Sequence, residues 1–405
     1  MTPSQDPERL GFDSARLARL KPWMQRYVDQ GRIPGASLLI ARRGELAYFD
    51  CAGFRDTGTR APWQRDTIAR IYSMTKPMTS VALMMLYEQA LVNLDDPVEL
   101  FLPEFKDRRV LVPGAKTLDD TVPAKSKMTI RQLLTHTSGL SYGMNGGVLG
   151  EVYAKESLGG AFAYGGLEKM IKRVAELPLD WEPGTRWHYS VSTDVAGRIV
   201  EVVSGQPLDQ FFAKRIFQPL GIAETAFCVP DADIGRYAAL YTATPDGGMK
   251  LAEAPANGAQ RQGKVDTFQG GSGLVGTIDD YWHFAEMLRA GGVHRRVRIL
   301  SPHTLALMTA NHLPGDIASM GPRTWAETLF DGVGFGLLGS ILIDPAKAQT
   351  SGSPGDYGWG GVAGTVFWVS PVNDMVVILF TQLAPSSALP IRKQLRALVY
   401  GALGG

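Results

Sequence analysis

Ser73 and Lys76 stand three residues apart in Ser73-Met74-Thr75-Lys76-Pro77, and Met78, Val81, Ala82, Met85 and Leu86 follow at helical spacing. Residues three apart on a helix share a face, so the spacing predicts a serine hydroxyl and a lysine amine within hydrogen-bonding reach. A serine hydroxyl becomes a useful nucleophile when a neighbouring base takes its proton, and a desolvated lysine amine can be that base. A helix start adds backbone N–H groups that favour an oxyanion forming at the same place. The needs of acyl transfer thus meet in four residues. A bare Ser-x-x-Lys more often marks a helix cap followed by a solvated lysine. Here apolar residues flank the serine, and no other serine in the chain has a lysine three positions on.

Two further stretches carry compatible chemistry. Glu182-Pro183-Gly184-Thr185-Arg186-Trp187-His188-Tyr189-Ser190 reads as a turn leading into an apolar helix with Val195, Ala196, Ile199 and Val200. A tyrosine on such a turn can relay a proton when a cation steadies its phenolate; alone, it would be read as a core tyrosine. Tyr357-Gly358-Trp359-Gly360-Gly361-Val362-Ala363-Gly364 precedes an apolar strand. Its glycines let backbone N–H groups approach a ligand closely, although in isolation the segment is a sheet-edge turn.

In this order the three elements resemble the serine β-lactamase and penicillin-binding-protein superfamily, and they are most similar to family VIII carboxylesterases, which look like class C β-lactamases. Leu133-Leu134-Thr135-His136-Thr137-Ser138-Gly139-Leu140, the Pro183-Gly184 turn and Gly270-Gly271-Ser272-Gly273-Leu274 add to the likeness, which runs from about Gly35 to the end. The resemblance implies Ser73 as nucleophile, Lys76 and Tyr189 as a joint proton-transfer unit, and the N–H groups of Ser73 and Val362 as oxyanion hole. Trp359, Gly360, Gly361, Tyr142 and Val191 would line the substrate site. Val191 stands where such β-lactamases carry Asn, and Trp359-Gly360-Gly361 where they carry Lys-Thr-Gly. Losing an amide donor and a cation suits a neutral ester better than an anionic lactam. The implied activity is hydrolysis of short-chain carboxylic esters through an acyl-enzyme, with no metal or organic cofactor. Transfer to another alcohol and weak β-lactam hydrolysis are the nearest alternatives; a non-catalytic ligand sensor of the same superfamily is the most distant.

Gly139-Leu140-Ser141-Tyr142-Gly143 offers a competing nucleophile, because it matches the G-x-S-x-G elbow of α/β-hydrolases. That elbow needs a buried strand before the serine and a helix after it. A capped helix is predicted over Thr129 to Thr135, and Gly146, Gly147 and Gly150 are expected to break any helix that follows. Ser141 is therefore read as a loop serine.

The elements that must position these groups come from both ends of the chain. Leu17, Leu20, Met24, Tyr27 and Val28 predict an amphipathic helix, and Ala36–Ala41 with Leu46–Phe49 predict a hairpin. Strands are expected at Phe335–Ile343, Gly364–Val369 and Met375–Thr381, then a helix over Ile391–Leu403. The middle reads as mainly helical, with helix starts at Thr129, Thr277 and Ser301. Long connectors around Val112–Pro123, Gly143–Gly166 and Pro245–Gly273 are expected to wall a cleft. The expected fold is α+β, β-lactamase/penicillin-binding-protein-like: an antiparallel sheet of about five strands from residues 1–62 and 325–405, flanked by helices, with an inserted helical region over 63–324.

With 405 residues the chain can bury a core without covalent staples, and Cys51 and Cys228 suggest neither a disulfide framework nor a metal site. Lys+Arg 41 against Asp+Glu 40, with no concentrated basic face, argues against nucleic acid as a partner. No apolar run reaches the roughly 20 residues of a membrane span. The first residues carry acidic groups and no apolar segment, which makes the cytoplasm the expected compartment. A small ester is the expected partner, with the oligomeric state left open.

Overall fold

The apolar runs from the two ends of the chain pair with each other. The computed structural model describes residues 4, 6–325 and 328–404. Its main sheet contains β1 (Gly35–Arg42), β2 (Glu45–Asp56), β3 (Ala61–Pro62), β4 (Val333–Phe335), β5 (Ser340–Leu342), β6 (Tyr357–Gly360), β7 (Val366–Ser370) and β8 (Met375–Thr381). Among the described residues their order is β4-β5-β6-β7-β8-β1-β2-β3, antiparallel throughout. The sheet thus has eight strands rather than about five. The additional strands β3, of two residues, and β6, of four, are too short for a clear period-2 signal, and the segment expected as one strand over 335–343 is the β4–β5 hairpin, turned by the Gly336 N–H to Gly339 carbonyl bond of 2.9 Å.

The near-continuous hydrophobicity of β1 and β8 follows from burial on both faces. Leu39, Ala41, Val376, Ile378 and Phe380 face a core continuous with the helical middle. Leu38, Ile40, Val377 and Leu379 face the opposite way, toward helices α1 (Leu20–Asp29) and α8 (Ile391–Ala402). Between the sheet segments lie α2 (Lys76–Glu88), α3 (Ile130–Leu134), α4 (Gly147–Lys155), α5 (Ser192–Ser204), α6 (Ile278–Arg289) and α7 (Pro302–Met308), with a further ten-residue helix over Leu167–Glu176 and shorter helical turns. Thr129 forms a complete capping box on α3, while Thr277 and Ser301 accept N–H bonds at the starts of α6 and α7. The connectors carry some structure of their own: α4 occupies 147–155, and short antiparallel pairs join 109–111 to 121–123 and 240–243 to 249–253. No helix among the described residues is long and apolar enough to cross a membrane.

Helix α2 is buried from Lys76 to Leu86, which explains why apolar residues fill most of its circumference instead of one stripe. The 3₁₀ turn Tyr72–Thr75 feeds it and is tied to its surroundings: Tyr281 of α6 donates to the Met74 carbonyl at 3.0 Å, and the Ile71 N–H to the Leu274 carbonyl at 3.1 Å. The same turn docks against the sheet just beyond β6. A Cβ on Gly361 would lie 2.5 Å from the Ile71 carbonyl oxygen and 2.3 Å from Thr365 Oγ1, so only glycine permits this approach. Gly361→Ala is expected to destabilise the fold by about 1–3 kcal/mol, through overpacking, and to lower ester turnover by displacing the Ser73 turn. Urea denaturation and steady-state kinetics would check both; wild-type stability and activity would show that the junction yields freely.

Candidate active site

Tyr72 adopts a left-handed backbone conformation, φ 44°, immediately before Ser73. That region is strained for a bulky residue and persists only where surrounding contacts impose it. The predicted neighbour is in place: Lys76 Nζ donates to Ser73 Oγ at 3.3 Å, to Tyr142 Oη at 3.1 Å and to the Gly271 carbonyl at 2.8 Å. Lys76 is only 4% exposed, so these oxygens replace water around its nitrogen. The same nitrogen lies 4.6 Å from the centroid of the Tyr189 ring.

Tyr189 is buried in an aromatic cluster. Its ring centroid is 4.7 Å from His136, 5.4 Å from Tyr142 and 5.5 Å from Trp359, and Trp359 Nε1 donates to its hydroxyl at 3.1 Å. The turn that carries it is fixed from behind, because Asn145 Nδ2 donates to the Tyr189 carbonyl at 2.9 Å and His188 Nε2 sits 3.0 Å from Asp180 Oδ2. Burial, reinforced by the Lys76 charge, holds the His136 pKa well below its ordinary value and the ring neutral. Burial likewise raises the Tyr142 phenol well above its usual range, helped by the Asp194 charge, so it stays protonated.

Two cavities meet at Ser73. The larger, 890 Å³, is lined by Tyr142, Tyr153, Phe162, Glu253 and Lys264 among others; the smaller, 380 Å³, by Phe330, Val333, Trp359, Gly360 and Gly361. Ser73, Met144, Tyr189 and Val362 border both. The Val362 N–H meets no protein acceptor among the described residues. Arg392, Lys393 and Arg396 of α8 edge the smaller cavity, with Arg396 engaged by Asp356. Among the described residues no group of three or more His, Cys, Asp or Glu side chains is arranged to hold a metal ion.

Ser73, Lys76, Tyr189, Tyr142, Trp359, Gly360, Gly361 and Val362 are therefore brought together around one cleft. Val191 is not part of its surface. It is fully buried at the start of α5 and borders neither cavity, so it supports the wall from behind instead of meeting a ligand. Ser141 is also fully buried, with the Asn145 amide donating to its hydroxyl at 3.3 Å and the Val191 N–H to its carbonyl at 3.2 Å, and α3 rather than a strand precedes it. The glycines after it do not prevent a helix, contrary to expectation: α4 begins at Gly147, where Gly146 and Gly147 supply the positive-φ turn that admits it.

Sequence reasoning missed Asp194. Its Oδ1 accepts the Gly271 N–H at 2.9 Å, and the Gly271 carbonyl in turn accepts Lys76, so the carboxyl braces the loop that holds the lysine. In the chain it looks like any acidic residue in a first helical turn, which concealed it. Tyr142, expected only to line the pocket, is also a direct partner of Lys76.

Burial raises the Asp194 pKa from 3.8 to about 6, partly offset by the Lys76 charge and the Gly271 N–H. The fold thus favours the uncharged carboxyl; that contribution to stability is complete below pH 4 and lost as pH rises through about 6. Measured by urea denaturation, Asp194→Asn should gain roughly 3 kcal/mol relative to wild type between pH 4 and pH 8. An unchanged difference across that range would contradict the burial account.

The geometry can be set beside known proteins. Residues 20–401 match the Beta-lactamase family model. Esterase EstB of Burkholderia gladioli is 33% identical, with 98% of each chain covered. Monacolin J acid methylbutanoyltransferase of Aspergillus terreus is 28% identical over 89% of each. The solved structure of EstCE1, described as a hydrolase with promiscuous acyltransferase activity, superposes with a TM-score of 0.80 at 30% identity, covering 98% of this chain and all of its own. A match over nearly the whole chain and relatives covered end to end place the two-ended sheet and its helical insertion in one family, and this chain belongs to the Beta-lactamase family.

Proposed function

We propose that the chain is a serine carboxylesterase acting on small, neutral, short-chain esters through an acyl-enzyme on Ser73. The observation that carries this reading is the Lys76 nitrogen within 3.3 Å of Ser73 Oγ, in a buried setting where two cavities meet. Ser73 Oγ attacks the ester carbonyl while its proton passes into the unit formed by Lys76 and Tyr189. The N–H groups of Ser73 and Val362 hold the tetrahedral oxyanion. The C–O bond to the alcohol then breaks, and the alcohol leaves with the proton. Water attacks the acyl-enzyme by the reverse relay and releases the acid. Tyr142, protonated and bonded to Lys76, fixes the lysine rather than exchanging protons.

Acyl transfer is a second reading, supported by the two-cavity cleft. A short acyl chain and a small alcohol would leave much of 890 Å³ unfilled, whereas a bulky alcohol could occupy that space and compete with water. Adding such an alcohol and quantifying ester against acid products separates the two outcomes.

If Lys76 and Tyr189 act as one unit, Lys76→Ala and Tyr189→Phe should each lower kcat by at least about 10²–10⁴-fold, and the double variant should lose far less than the product of the two. Multiplicative losses would indicate independent roles. Substrate class is tested by comparing kcat/KM for p-nitrophenyl butyrate with that for a chromogenic cephalosporin. With Trp359 in the place of a cation, the expected result is efficient ester cleavage and lactam-ring opening that is weak or absent. Equal or better efficiency on the ring would overturn the esterase reading.

A further inference from the structure

Arg392 is the second residue of α8 and reaches back to the strand that ends the sheet side of the cleft. One nitrogen of its guanidinium donates to the Gly361 carbonyl at 2.8 Å and to the Thr365 carbonyl at 3.2 Å. Space for it comes from Gly360: a Cβ there would lie 2.5 Å from that nitrogen and 2.6 Å from Arg392 Cζ. The two adjacent glycines therefore admit different neighbours, Gly360 the guanidinium and Gly361 the Ile71 carbonyl of the nucleophile turn. A cation in the first turn of a helix faces the positive end of the backbone dipole, so the position does not serve α8 itself.

The Gly361 carbonyl and the Val362 N–H belong to one peptide plane, and in a trans peptide they point to opposite sides. A cation gripping the carbonyl therefore fixes the plane that carries the N–H of Val362, a residue that borders both cavities beside Ser73. The charge-assisted bond also polarises the amide and makes its N–H a stronger donor. We propose that Arg392 is a positioning residue that clamps and polarises the Gly361–Val362 peptide so that its N–H is aimed at the transition-state oxyanion. The proposal rests on the reading of Val362 as an oxyanion donor. The Gly364 N–H also reaches the Gly361 carbonyl, at 3.1 Å, so removing Arg392 loosens the plane without freeing it.

Removing one oxyanion donor outright costs about 10²–10³-fold in kcat, so loosening one should cost about 10–100-fold. The test measures p-nitrophenyl butyrate kinetics for wild type, Arg392→Met and Arg392→Lys, each checked for folding. It also records the isotope-edited infrared carbonyl stretch of the trapped acyl-enzyme, which falls as the oxyanion-hole bonds strengthen. The expected result is a kcat loss of that size in Arg392→Met with KM within about threefold, a smaller loss in Arg392→Lys, and an acyl-carbonyl stretch shifted toward that of the free ester. If Arg392→Met does not fold, Arg392→Lys carries the test through the same shift. Wild-type kcat, an unshifted stretch in a folded variant, or a raised KM with kcat intact would overturn the clamp; the last would make Arg392 a substrate contact. A wild-type stretch already equal to that of the free ester would instead overturn the oxyanion-hole reading and the clamp with it.

Discussion

A lysine nitrogen withdrawn from water is the constraint around which the cleft is organised. Burying such a group is costly unless oxygen atoms replace its hydration. Here they come from Ser73 one helical turn away, from Tyr142 and from the Gly271 carbonyl, so three separate stretches of chain must converge before Lys76 can be buried. Asp194 extends the convergence to α5 by holding the Gly271 N–H. Folding the helical middle and enclosing the Lys76 nitrogen are therefore one process.

The sheet contributes through close backbone approach. β1 and β8 are buried on both faces and rigidly paired, and their neighbours β7 and β6 carry that rigidity to the cleft. Where β6 ends, absent Cβ atoms let the Ile71–Ser73 turn on one side and Arg392 on the other press against Gly361 and Gly360. The helical part thus brings Lys76, Tyr142 and Tyr189 to the cleft, and the sheet brings Trp359 and the close-packed glycine backbone. Their alignment depends on contacts that tolerate little displacement.

Much of this was legible in the sequence where local periodicity or spacing encodes it. The Ser73–Lys76 spacing, the Thr129, Thr277 and Ser301 caps and the apolar runs of β1 and β8 are all local signals. The Tyr189 turn and the glycines after Trp359 became informative through their order along the chain. What escaped depends on long-range contact. Nothing near Asp194 announces that its carboxyl will brace Gly271, 77 positions away. Val191 sits two residues from Tyr189 yet turns into the core, because the first turn of α5 is buried there. The short strands β3, β4, β5 and β6 leave no clear periodic pattern, and α4 begins among glycines that a propensity argument reads as breakers.

The central claim is that Ser73 forms the covalent bond to substrate. Mass spectrometry of the intact protein and its peptides after reaction with a fluorophosphonate tests it most directly, because that reagent traps an activated serine. One adduct per chain is predicted, on Ser73, with labelling lost in a folded Ser73→Ala protein. An adduct on Ser141, or labelling undiminished by Ser73→Ala, would contradict it.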